Sequence, residues 1–373
     1  VFVELQLELI LEKMISNALK MILGADRSMG VKDFKMYSEI SETPDVFSRL
    51  IDSEKQFKQV AEKIKSRKIS NVIILARGTS DNAGHYLKFL IEVRLGLPVG
   101  LASPSSVSIY GAKVDFKDTL VIALSQSGKS PDLLAFAGAS KEGGALLIAM
   151  TNNSDSPLAK AGDIHIDLSA GPEIAVAATK SYSAELLASL LLVDSWIGNM
   201  SAGRSHLVDS SKECISNLGE VGSFANSLDA KREIVVIGRG YAYANAKELA
   251  LKIQETSYIP VQGLSSADYQ HGPIATLNKN SQVIVLSPSG MPKEALEDSI
   301  VRIRKSQPEI IWIGSNQLAT KDEKVILGSS LESEEESTII DAALIQYLTL
   351  SFAVKNGFNP DSPRGLSKVT LTN

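Results

Sequence analysis

Residues 119–131 read Thr-Leu-Val-Ile-Ala-Leu-Ser-Gln-Ser-Gly-Lys-Ser-Pro (TLVIALSQSGKSP). Six residues without a charge or glycine, of a length suited to a strand, run into a loop of hydroxyls, and Pro131 then stands at a natural helix start. A strand that ends in such a loop and re-enters as a helix is half of a parallel crossover unit. The same grammar appears on both sides of it. VIILA (72–76) precedes a helix beginning near Ser80, and ALLIAM (145–150) follows the helix that begins near Ser130. After a helical stretch near 180–230 the pattern restarts with EIVVIG (233–238), SQVIVL (281–286) and EIIWIG (309–314). Alternation of this kind predicts an α/β fold with parallel sheets and right-handed crossovers.

The two halves superpose by position. Gly78 in LARGTS matches Gly240 in IGRGYA, and Gly128 in LSQSG matches Gly290 in LSPSG, each pair 162 residues apart. A period this long indicates tandem domains and not a solenoid. The units are placed at 45–200 and 201–357, after an N-terminal extension over 1–44 and before a tail over 358–373. Within the extension, Leu11, Met14, Ile15, Ala18, Leu19 and Ile22 follow helical spacing. Interspersed Glu and Lys fit neither a membrane span nor a signal peptide, so residues 1–35 read as a docking helix or a start-site extension, and the chain as cytoplasmic.

Composition narrows the function. The 373 residues carry 38 Lys+Arg against 43 Asp+Glu, for a net charge of −5, with no basic stripe, which disfavours a nucleic-acid partner. At 44% hydrophobic and 22% charged, the chain has enough apolar material for a large core. The single Cys214 excludes an internal disulfide and any multi-cysteine metal site. His85, His165, His206 and His271 lie too far apart for a local metal motif.

In open parallel sheets, ligands bind beyond the carboxyl ends of the strands. Ser125-Gln126-Ser127-Gly128-Lys129-Ser130 offers hydroxyls and free amides at a helix N-terminus, suited to a phosphate, but lacks the spacing of a nucleotide-triphosphate loop. Alternatively it is a Ser/Gly turn with Ser130 as N-cap. Arg77-Gly78-Thr79-Ser80 forms a second polar loop. Its second-half counterpart to the serine loop, Ser287-Pro288-Ser289-Gly290, has exchanged Gln for Pro and is expected to be a structural relic. Lys252 and Glu255 share a helix face, as a surface ion pair would. His271, beside a Gly-Pro break, and Lys368, near the end of the sequence, have ordinary structural readings too.

Six strings in order, ARGTSDNAGHYLKFL, LSQSGKSPD, GPEIAVAATKSY, ALKIQETSYI, QHGP and PRGLSK, resemble the tandem sugar-isomerase (SIS) module of glucosamine-6-phosphate synthases. The resemblance runs from about Ser41 to Asn373 and implies two flavodoxin-like, three-layer α/β/α units. It contains no counterpart of the synthase glutaminase half. ARGTSD and SQSGKSPD are similar above all to the glutaminase-less glucosamine-6-phosphate deaminases. The resemblance implies that Thr79, Ser80, Ser125, Gln126, Ser127 and Ser130 hold the sugar phosphate and nearby hydroxyls, and that Val176 contacts the sugar through its backbone. It assigns Glu255 as the base between C1 and C2, with Lys252 beside it. His271 becomes the ring-opening histidine, supplied by the neighbouring subunit of a homodimer, and Lys368 the tail lysine that contacts or forms an imine with the open-chain sugar. Lys129 replaces an acidic residue of the synthase loop, and Ala178 a serine.

The implied activity is conversion of glucosamine 6-phosphate to fructose 6-phosphate and ammonia, which calls for no cofactor and no metal. Alternatives on the same site are a fructosamine-6-phosphate deglycase and a simple phosphosugar isomerase. A non-catalytic sugar-phosphate sensor is the rival of a different class, and it would have no need for Glu255, His271 and Lys368 together.

Overall fold

The computed structural model describes residues 29–199 and 203–368. The helical pattern over residues 11–22 lies outside them. Two five-stranded sheets are built wholly from parallel pairs. The first contains β1 (Asn71–Leu75), β2 (Val99–Leu101), β3 (Thr119–Ser125), β4 (Leu146–Thr151) and β5 (Ile164–Asp167), in spatial order 2-1-3-4-5. The second contains β6 (Ile234–Gly238), β7 (Val261–Ser265), β8 (Gln282–Ser287), β9 (Glu309–Gly314) and β10 (Lys324–Leu327) in the matching order 7-6-8-9-10. Order 2-1-3-4-5 is that of flavodoxin-like units.

The duplication extends to backbone conformation. β1, β3 and β4 begin 163 positions before β6, β8 and β9. The matched glycines share left-handed backbone: φ is +56° and +55° at Gly78 and Gly240, and +63° and +85° at Gly128 and Gly290. Every position of β3, β4 and β8 is buried, because helices cover both faces. This explains their unbroken apolar runs. The edge strands β2, β5, β7 and β10 have three to five residues and partly exposed positions, so no comparable run announces them.

Among the described helices, six position the site and the seam: α1 (Lys35–Ser41), α2 (Gly78–Leu95), α3 (Pro131–Glu142), α4 (Lys180–Ile197), α5 (Ala242–Ser257) and α6 (Glu334–Lys355). α4 is buried along nearly its whole length, and α6, long and apolar enough to cross a membrane, is buried inside the protein from Glu336 to Ala353. Helices α2 and α5, each following the first strand of its sheet, pack against each other, so the two units meet along a helical seam. The core of the first unit accordingly includes Tyr241, Ala244, Ile339 and Ile340 from the second. Phe34, Met36 and Ile40 pack into the core of the second unit, beside Leu218 and Tyr347, although they precede the first in sequence.

One matched glycine pair isolates a packing constraint. Gly100 in β2 and Gly263 in β7 occupy equivalent register positions, opposite Ile73 and Val236. A Cβ at Gly263 would lie 2.3 Å from the Ala246 carbonyl oxygen of α5, whereas nothing lies within 4 Å of one at Gly100. Gly263→Ala is therefore expected to destabilise by about 1–3 kcal/mol, and Gly100→Ala by far less. Urea unfolding of the two variants checks this difference.

Candidate active site

A crevice opens where the strand order reverses, between the ends of β1 and β3. Gly78 permits the turn out of β1, and Arg77 Nε donates to Asp132 Oδ2 at 2.9 Å, tying this loop to the start of α3. In the loop after β3, Gly128 N–H donates to Ser125 Oγ at 3.1 Å. A side chain at Gly128 would collide with Ser156, 2.3 Å from its Oγ. Ser130 sits at the N-cap of α3 but its hydroxyl makes no capping bond. The Ser127 and Ser130 hydroxyls make no hydrogen bond among the described residues, so both are available to a ligand at a helix N-terminus.

The second half shows why it lacks an equivalent site. A Cβ at Gly290 would lie 2.2 Å from Glu332 O and 2.5 Å from Glu334 N, and Ser289 Oγ donates to Ser329 O at 2.6 Å. The segment 329–334 fills that crevice. In the first unit the corresponding chain, after β5, instead forms a wall through Val176.

Several tethers shape that wall. Glu39 of α1 accepts the N–H groups of Ile174 and Ala175, and Asp361 O accepts from Val176 N–H at 3.1 Å. Asp361 also takes the N–H groups of Lys35 and Met36 on its carboxylate, at 2.7 and 2.8 Å. Glu173, fully buried, accepts from Thr179 N–H, Ser181 N–H, Ser181 Oγ and Lys368 Nζ, the last at 2.8 Å. Lys368 Nζ also donates to Ala175 O at 2.7 Å. Burial opposes charge on Glu173, but Lys368 and these donors outweigh it and hold the carboxyl below its usual range. Lys368 is thus an anchored cation, not a solvated tail lysine.

Helix α5 closes the third side. Lys252, 1% exposed, places Nζ 2.6 Å from Glu255 Oε2 and 3.4 Å from Glu248 Oε1. The surface-pair reading of Lys252 and Glu255 therefore gives way to a buried one. Burial works against the ammonium, but Glu248 and Glu255 more than compensate and raise its pKa. Glu248 crosses the seam, accepting from Asn82 Nδ2 at 2.8 Å and Thr79 Oγ1 at 3.2 Å. Burial outweighs these partners and raises its pKa.

A single cleft of about 370 Å³ collects Thr79, Ser80, Ser125, Gln126, Ser127, Ser130, Val176, Lys252, Glu255 and Lys368. His271 is exposed and lies outside the cleft of its own chain. Ala178 lines the cleft, and Lys129 borders a shallower chamber of about 450 Å³ that shares Gln126, Ser127 and Lys368 with it. Sequence reasoning missed Glu248, Glu173 and Glu185. Glu248 lies four residues before Lys252 on one helix face, and Glu185 interrupts the apolar run of α4; both were readable signals.

The comparisons agree with this architecture. The family model described as SIS domain matches residues 64–195 and again 227–355. The chain is 31% identical over 350 residues to glutamine–fructose-6-phosphate aminotransferase (isomerizing) of Thermococcus kodakarensis, covering 89% of this chain and 57% of that protein. The rat enzyme of that name is 29% identical over 309 residues, covering 80% of this chain and 45% of its own. The chain thus spans about half the length of these relatives. Among solved structures, the C-terminal domain of glucosamine-fructose-6-phosphate aminotransferase from Francisella tularensis matches 91% of this chain and 100% of its own, with TM-score 0.79 and 23% identity. Glucosamine-6-phosphate deaminase from Thermotoga maritima also matches 91% of this chain and 100% of its own, with TM-score 0.71 and 21% identity. With the family model matched twice over two sheets of one topology, the chain belongs to the SIS domain family and carries that domain in tandem.

Proposed function

We propose that the cleft catalyses the deaminating aldose–ketose isomerisation of glucosamine 6-phosphate, giving fructose 6-phosphate and ammonia. The observation that carries this reading is the convergence of the hydroxyl-rich loops with Lys252, Glu255 and Lys368 in one cleft. The loops supply donors for a phosphate at a helix N-terminus, fixing one end of the sugar. Glu255, partly open to the cleft and oriented by Lys252, stands where a carboxylate can act on a bound carbon acid. A sensor would have no use for that pair.

In the proposed sequence, His271 removes the C1 hydroxyl proton and delivers one to the ring oxygen, opening the pyranose. Glu255 then takes the proton from C2 of the open-chain amino aldehyde and returns it to C1. The C1 oxygen gains a proton as the nitrogen releases one, and C2 becomes an imine carbon. Water adds to C2, the C–N bond breaks, and ammonia leaves as the ketone forms. Lys368, held by Glu173 and the Ala175 carbonyl, presents a donor to the open-chain oxygens. Because His271 is exposed and does not line its own cleft, a second copy of the chain would supply it, making the working unit at least a homodimer.

A deglycase acting on fructosamine 6-phosphates remains the second reading, favoured by the side chamber that adjoins the cleft at Lys368 and could take a substituent on nitrogen. A panel of 6-phosphorylated amino sugars and fructosamines separates the two by which substrate releases free amine.

Glu255→Gln is expected to lower ammonia release from glucosamine 6-phosphate by roughly 10²–10⁴-fold; a wild type without turnover, or a variant with undiminished turnover, contradicts the reading. Mixing inactive His271→Ala with inactive Glu255→Gln chains should restore part of the activity, because some mixed dimers contain one complete site. Verified mixed dimers without activity would show that His271 is not shared.

A further inference from the structure

Glu185 lies behind the phosphate end of the cleft and is not part of the proposed proton-transfer chemistry. It projects from the apolar helix α4, 1% exposed, and its Oε1 is 2.7 Å from Ser80 Oγ. Ser80 lines the cleft. The other oxygen, Oε2, has no hydrogen-bond partner. No cation lies within ion-pairing distance of Glu185 among the described residues. The charged groups facing it are carboxylates: Glu248 from α5 and Glu173 from the loop before α4. Their cations, Lys252 and Lys368, are engaged elsewhere. Tyr182, earlier on α4, bonds to Asn245, and Gln346 of α6 bonds to Thr179 and Ser183. An ionised carboxylate in such surroundings is costly, so the proton stays on. Burial, reinforced by Glu248 and Glu173 and opposed by Ser80, pushes this carboxyl up to about 8.

We propose that Glu185 is a positioning residue that, as a neutral acid, donates its hydrogen bond to Ser80 Oγ and leaves the Ser80 hydroxyl proton free for a ligand phosphate. Resting on the sugar-phosphate reading, this assigns Ser80 two states. With Glu185 protonated, Ser80 accepts from behind and donates into the cleft. With Glu185 ionised, the only donor in the pair is the Ser80 hydroxyl, which turns away from the cleft toward the carboxylate. A negative charge then also stands behind a dianionic ligand. Phosphate binding and proton retention on Glu185 are therefore reciprocal, each favouring the other.

The test measures binding of glucitol 6-phosphate, which has no carbonyl and cannot react, by calorimetry from about pH 7.5 to 9.5, where a phosphate monoester is already dianionic. Wild-type affinity is expected to fall by about tenfold per pH unit above about pH 8, with net proton uptake on binding at the upper end. Glu185→Gln, isosteric and unable to ionise, should show affinity constant within about twofold and no such uptake. Carboxyl carbon NMR of the wild type gives an independent measure, in which the Glu185 titration should move upward when the ligand saturates. Binding that is flat with pH in wild type, or that falls equally in Glu185→Gln, overturns this inference alone. Absence of binding at every pH overturns the phosphate reading and the inference with it.

Discussion

Lys252 holds the cleft together from inside. Its ammonium is nearly inaccessible to solvent and lies between Glu248, which reaches across the seam to Thr79 and Asn82, and Glu255, which faces the cleft. A buried ammonium is tolerated only when its charge is met by well-placed carboxylates, and removing one member of such a pair costs about 3–5 kcal/mol. The requirement acts on geometry as well as stability. Glu255 faces the cleft from where Lys252 holds it, and Lys252 is fixed by a carboxylate bound to the other unit. One charge cluster thus sets the distance between the hydroxyl-rich loops of the first unit and helix α5 of the second.

Gene duplication supplied two crevices, and the structure uses them differently. Both halves retain the left-handed glycines that turn the chain at the strand ends. In the second half, the segment 329–334 packs onto Gly290 and Ser289 and fills the space a ligand would need. The first crevice stays open, and the chain after β5 is instead drawn by Glu39, Asp361 and Glu173 into a wall that presents Val176. Segments from both ends of the described chain converge there: α1 holds the wall through Glu39, and Lys368 anchors to it through Glu173. The cleft is therefore a property of the whole tandem, not of either unit alone.

Much of this was legible in sequence where one physical effect dominated. Strands largely buried on both faces carry apolar runs, so β1, β3, β4, β6, β8 and β9 stood out, and their common offset revealed the duplication. The edge strands β2, β5, β7 and β10 are short and partly exposed, and the sequence signal faded with the burial. At the site, ten of the eleven proposed residues meet in one cleft. His271 does not line it and is exposed instead. What spacing alone concealed was burial: Lys252 with Glu255 and Lys368 in the tail look like surface groups until the fold encloses them. Glu173, Glu185 and Glu248 escaped notice for the same reason, since their importance lies in being carboxylates without solvent.

The chemistry assigned to the cleft reduces to one act, the movement of a proton between adjacent sugar carbons by Glu255. Proton NMR of fructose 6-phosphate incubated with the protein and ammonium in heavy water reads that act directly, through loss of the C1 proton signal as deuterium enters. The expected result is exchange at C1 with the wild-type protein and its loss in Glu255→Gln; no exchange with the wild type, or equal exchange in the variant, would contradict the account.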